Sequence, residues 1–171
     1  MTRIFLRIED FTTGLALRGA IAFLVIAASL ALFQVITRFV FDAPSTWSEV
    51  ITRSAMIWSV FLGVAVAFRH GAMISVDVIM NSLPRRLGLA LFMVANAASL
   101  VFFAILFWQG WLMTGRVINQ KLAALEISIA WVYAALPVGS IFIMIAVTAA
   151  AIRGANGGWL APLDAALEEQ A

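Results

Sequence analysis

The sequence predicts an all-α integral membrane protein, a four-helix chain with both termini cytoplasmic and short amphipathic interfacial helices beside the spans. Three observations predict it. Apolar residues make up 64% of the 171 and charged residues only 12%, about half of the quarter usual in a soluble domain. Mean hydropathy is +1.03. Charge-free apolar runs recur at Gly19 to Thr37, Ser54 to Phe68, Leu87 to Gly115 and Ile127 to Ile152, close to the ~20 residues a helix needs to cross hydrocarbon. The chain reads as one membrane domain over residues 1–171, without internal repeats.

The elements follow in order. Residues 3–13 place Ile4, Phe5, Ile8 and Phe11 at helical spacing opposite Arg3, Arg7 and Asp10, the pattern of a helix lying on the membrane surface. Span one is expected over 17–40. Its apolar run begins too late and is too long for a cleavable signal, so none is expected. Span two, over 47–68, has an apolar run too short by itself, so the helix starts near Trp47 and brings Glu49 and Arg53 to the membrane edge. Residues 73–84 read as a second interfacial segment, with Asp77 and Asn81 among apolar residues and a stop at Pro84. Spans three and four are expected over 87–112 and 127–152.

Orientation follows from basic residues in short flanks. Arg3, Arg7, Arg18, Arg69, Arg85, Arg86 and Arg153 fall on one side, against Arg38, Arg53, Arg116 and Lys121 on the other. That bias puts both termini in the cytoplasm. Trp47, Trp108, Trp111, Trp131 and Tyr133 fall at the outer ends, where amphipathic rings favour headgroup depth. The outer loop from about Met113 to Glu126 is polar enough to face water.

Composition also removes function classes. The net charge is only +2 and the cations are scattered, so the high pI does not indicate a nucleic-acid partner. There is no cysteine and a single histidine, His70, which leaves no thiolate site, no bis-histidine haem from this chain alone, no histidine-rich metal site and no route to most catalytic triads. No Gly-rich phosphate loop occurs. No enzyme activity and no cofactor are expected.

Ser59, Asn96 and Ser99, with Gln34 nearer a span end, are polar but uncharged, and such groups hydrogen-bond across helices. Ala55, Ser59, Gly63 and Ala67 repeat every four residues and leave a smooth stripe that predicts a close helix neighbour, in this chain or another. In span three Gly88, Ala95, Asn96 and Ser99 share roughly one face. Pro137 is placed to kink span four. At the outer edge Arg38 and Asp42, and Glu49 and Arg53, stand four residues apart, close enough to pair. Such a pair either lets span two start early or offers a docking point to another subunit.

From this constellation onward the sequence resembles a known family. The run Arg38-Phe39-Val40-Phe41-Asp42-Ala43-Pro44-Ser45-Thr46-Trp47-Ser48-Glu49, with Arg53, is similar to the start of span two in the DctQ-type small permease subunit of tripartite ATP-independent periplasmic (TRAP) transporters. Arg69, Gly71, Ile74, Val76, Asp77, Leu83 and Pro84 resemble its cytoplasmic segment, and Tyr133-Ala134-Ala135-Leu136-Pro137-Val138-Gly139 its last helix. Val50, Met73 and Ser128 depart from the pattern.

The resemblance implies a scaffold role in the bacterial inner membrane. A large permease subunit would carry an organic acid or similar solute by ion-gradient-driven symport, and a periplasmic substrate-binding protein would capture it. This chain would enlarge the fixed part of the complex. Its candidate contact residues are Arg38, Trp47, Glu49, Arg53, Ala55, Ser59, Gly63, Ala67, Asp77, Tyr133 and Pro137. Two alternatives share the architecture: the small four-helix subunit of a tripartite tricarboxylate-type transporter, and a membrane anchor of a respiratory enzyme.

Overall fold

The computed structural model describes residues 2–43, 45–69, 85–122 and 125–155. Five helices follow in order: α1 (Thr2–Phe39), α2 (Thr46–Arg69), α3 (Arg85–Arg116), the single turn α4 (Ala130–Tyr133) and α5 (Ala135–Ala155). Counting α4 and α5 as one span, four helices are long and apolar enough to cross a membrane. Among the described residues no strand forms, and the one isolated bridge joins Lys121 and Ser128 in the loop after α3. The interfacial segment expected over 73–84, with Asp77, lies outside the described residues.

α1 runs unbroken for 38 residues, about 57 Å at ~1.5 Å per residue and nearly twice a ~30 Å hydrocarbon core. Residues 3–13 are therefore its first turns and are continuous with the span. The helix ends where Asp42 takes φ 48°, a left-handed conformation that a short polar side chain tolerates. That turn prevents the Arg38–Asp42 pairing that the spacing suggested: among the described residues the two form no ion pair, and the Arg38 guanidinium carbon lies 5.9 Å from the Phe39 ring centroid.

α1 and α2 pack as an antiparallel hairpin. α5 lies against α1, α2 and α3, and α3 joins the bundle through α5 and α4. α5 is accordingly the most buried span and α1 and α3 the least. The core gathers Ala16 and Ala20 of α1, Trp58 and Leu62 of α2, Phe103 of α3, and Ile143 and Val147 of α5. Phe68 of α2 meets Phe103 edge-on, with centroids 5.7 Å apart.

Two glycines set the helix spacing. A Cβ on Gly139 would fall 2.6 Å from the Phe61 Cβ, and one on Gly110 would fall 2.8 Å from the Leu136 Cβ. Only a hydrogen fits at either contact. Pro137 sits in the first turn of α5, where a missing N–H costs least. It interrupts the span at Ala134 without breaking its course, since Ala134 N donates to Ala130 O at 2.8 Å and Val138 N to Ala134 O at 3.1 Å.

Candidate functional site

The chemistry of the bundle is concentrated at its two ends. At the proximal end, where α1 begins, the first turns of α1 meet the last turns of α2 and α5. Glu9 is fully buried there. Its carboxylate accepts from Arg153 Nη1 at 2.9 Å and from Nη2 at 3.3 Å, a forked arrangement that fixes both direction and distance. Arg69 Nε lies 3.8 Å from Glu9 Oε1, and Arg69 Nη2 donates to Asp10. Two carboxylates thus face two guanidiniums, and three helices are tied at one point.

Sequence reasoning missed Glu9 altogether. A signal was present: Glu9, Thr13, Ala16, Ala20 and Ala27 are all buried, and their spacings of three, four and seven residues trace one seam along α1. Followed back from the apolar span, that seam puts Glu9 on the bundle face.

At the distal end α1 finishes and α2 starts. Glu49 and Arg53 form the expected i,i+4 ion pair, with both side chains more than half exposed. Gln34, Arg38, Ser45, Thr46 and Glu49 line a polar cavity of about 100 Å³ between the helix ends. A larger apolar groove of about 400 Å³ opens beside it, lined among others by Val50, Arg53, Ile57, Leu122, Ile129 and Tyr133. Trp47 is 43% exposed and its ring lies 5.8 Å from that of Phe33. Trp108, Trp111, Trp131 and Tyr133 are also exposed toward this end.

Between the ends the polar groups divide. Ser59 Oγ donates to Ala20 O at 3.0 Å and Gln34 Nε2 to Thr52 Oγ1 at 2.8 Å, so these two tie α1 to α2. Asn96 and Ser99 instead donate to Phe92 O and Ala95 O in their own helix. Trp58, buried at mid-span, donates its Nε1–H to Trp131 O at 3.1 Å and stacks on Phe23 at 5.6 Å.

The small-residue stripe of α2 splits. Ala55 is buried and Ser59 bonds α1, but a Cβ on Gly63 would meet no atom within 4 Å, and Ala67 is exposed. A four-residue repeat turns about 40° beyond a full circle at each step, so the stripe drifts from the bundle face to the open face. Pro137 is buried. The apolar side chains of α1 and α3 remain largely uncovered, among them Leu24, Val25 and Leu32 on α1 and Val101, Phe102 and Ile105 on α3.

Comparison with known proteins places these features in a family. Residues 27–157 match the family model described as tripartite ATP-independent periplasmic transporters, DctQ component. The sialic acid TRAP transporter small permease protein of Vibrio cholerae is 29% identical over 122 residues, 70% of each chain. A TRAP transporter small permease protein of Haemophilus influenzae is 25% identical over 118 residues, 69% of this chain and 72% of the relative.

Proposed function

Because the chain belongs to the DctQ component family of tripartite ATP-independent periplasmic transporters, and is thus a small transmembrane permease subunit, we propose that it serves as the fixed scaffold of an ion-gradient-driven importer. Its partners in this reading are a large permease subunit and a periplasmic substrate-binding protein. The match over residues 27–157 carries the proposal. The uncovered apolar faces of α1 and α3 support it, since they leave room for a membrane partner as well as lipid.

The solute is an organic acid or a similar small molecule. The Vibrio relative's name specifies sialic acid, itself a carboxylate. The chain lies in a bacterial inner membrane with its proximal end cytoplasmic and its distal, tryptophan-rich end periplasmic. The ionic cluster around Glu9 then holds the cytoplasmic end of the scaffold together, while the Glu49–Arg53 edge faces the side from which the binding protein delivers solute.

Co-expression with the neighbouring permease and binding-protein genes tests this. The large subunit is expected to purify with this chain from detergent, and the pair in vesicles to take up an organic acid only with the binding protein and an ion gradient present. Recovery of this chain without any large permease would overturn the proposal.

A further inference from the structure

Arg18 is a cation within α1, inside the stretch long and apolar enough to be the first membrane span. Flanking-charge counts group it with the charges that precede the first apolar run, yet the helix register places it well along the length of the bundle. Its neighbour Gly19 abuts Leu62, whose Cδ1 would lie 3.0 Å from a Cβ there, and Ser59 bonds the carbonyl of Ala20. Glu49 and Arg69, the charges that bound α2, are separated by twenty residues, about 30 Å of helix and one hydrocarbon thickness. Leu62 stands seven residues from Arg69 and thirteen from Glu49, so Arg18 lies about 10 Å below one edge and about 20 Å below the other.

The side chain faces outward. Arg18 is exposed, on the surface of α1 that also presents Phe11, Leu15, Ile21 and Val25. No ion pair to Arg18 forms among the described residues. The acids closest along α1, Glu9 and Asp10, lie about two turns away and are already engaged by Arg153 and Arg69. A guanidinium left in hydrocarbon is costly unless it is paired. In such a setting the default reading is a functional contact.

From this geometry we infer that the outward face of α1 around Arg18 is the surface on which the large permease subunit docks, and that the partner supplies the acceptor. The matching chemistry is a carboxylate, or the free carbonyls of a broken helix end, set among apolar side chains at the same depth. Phe11, Leu15, Ile21 and Val25 form the apolar surround, which excludes water and strengthens the contact. Gly14 widens the approach, since a Cβ there would meet no atom within 4 Å. The inference rests on the proposed pairing with a large permease, and it adds which face carries that pairing and through which residue.

The test co-expresses this full chain with the large permease and compares wild type with Arg18→Leu and Arg18→Lys. Co-recovery is expected to fall about tenfold or more for Arg18→Leu, the effect of leaving a buried acceptor unpaired, and less for Arg18→Lys, which keeps the charge. The isolated Arg18→Leu chain is expected to keep its helicity and melting temperature. Equal co-recovery of wild type and Arg18→Leu overturns the inference. A photo-crosslinker at Ala22, one turn further along the same face, is expected to give an adduct with the large permease. Adducts with phospholipid alone would mean that Arg18 reaches toward lipid phosphates, and would equally overturn it. If even wild type recovers no large permease, it is the proposed scaffold function that fails.

Discussion

The carboxylate of Glu9 and the guanidinium of Arg153 meet as a fork across 144 residues of sequence, with contacts of 2.9 and 3.3 Å. Glu9 is fully buried while Arg153 is 36% exposed, so the acid gains its stabilisation from the two arginines and not from water. Replacing one partner leaves the other uncompensated, and for buried pairs that costs about 3–5 kcal/mol. Glu9→Gln is expected to lower the unfolding free energy of the detergent-solubilised chain by about 3 kcal/mol, near the low end because both arginines keep some solvent. Denaturant titration checks it, and a change too small to measure would show that the cluster does not hold α1 to α5.

Gly139 and Gly63 make a paired comparison. At Gly139 a methyl group would overlap Phe61, so Gly139→Ala is expected to destabilise the chain by about 1–3 kcal/mol through forced separation of α2 and α5. At Gly63 the same methyl meets open space, and Gly63→Ala is expected to be neutral or stabilising by up to about 1 kcal/mol through helix propensity. Thermal melts of the isolated chain read both. Similar losses at the two positions would refute the packing described for α2.

Trp58 links α2 to the start of the last span through its indole N–H and Trp131 O. Trp58→Phe keeps an aromatic ring against Phe23 but removes the donor, leaving a carbonyl without its partner. The expected cost is about 1–2 kcal/mol, read by the same denaturant titration. A smaller loss would mean that Trp131 O finds another donor.

The distal pair behaves differently. Glu49 and Arg53 are exposed by 51% and 75%, and exposed i,i+4 pairs contribute only about 0.3–0.5 kcal/mol. Arg53→Leu is therefore expected to leave the stability of the isolated chain nearly unchanged while reducing co-recovery with the large permease or solute uptake. Full assembly and uptake would mean that the pair merely lets α2 begin early.

That the chain folds into four helices long and apolar enough to cross a membrane was legible from hydropathy alone, because the bilayer demands about 20 apolar residues per helix wherever they fall in the chain. The i,i+4 pair Glu49–Arg53 was legible for a similar reason: helix geometry by itself brings such residues together. Gly139, visible only as part of a motif, acquired its meaning once Phe61 was found against it.

Glu9 and Arg18 show what local pattern does not carry. The first carries no local signal of its own and proves to be buried; the second reads as a flanking charge, while the residue after it, Gly19, stands against Leu62. Each outcome depends on how far α1 slides along α2, a quantity set by contacts between residues far apart in sequence, such as Ser59 with Ala20, 39 residues apart, and Gly19 with Leu62. Periodicity and hydropathy are properties of one helix, so the sequence by itself determined which segments form helices long and apolar enough to cross a membrane. Packing two helices adds a register, and only the tertiary structure decided which charges stand level with one another and which partner each meets.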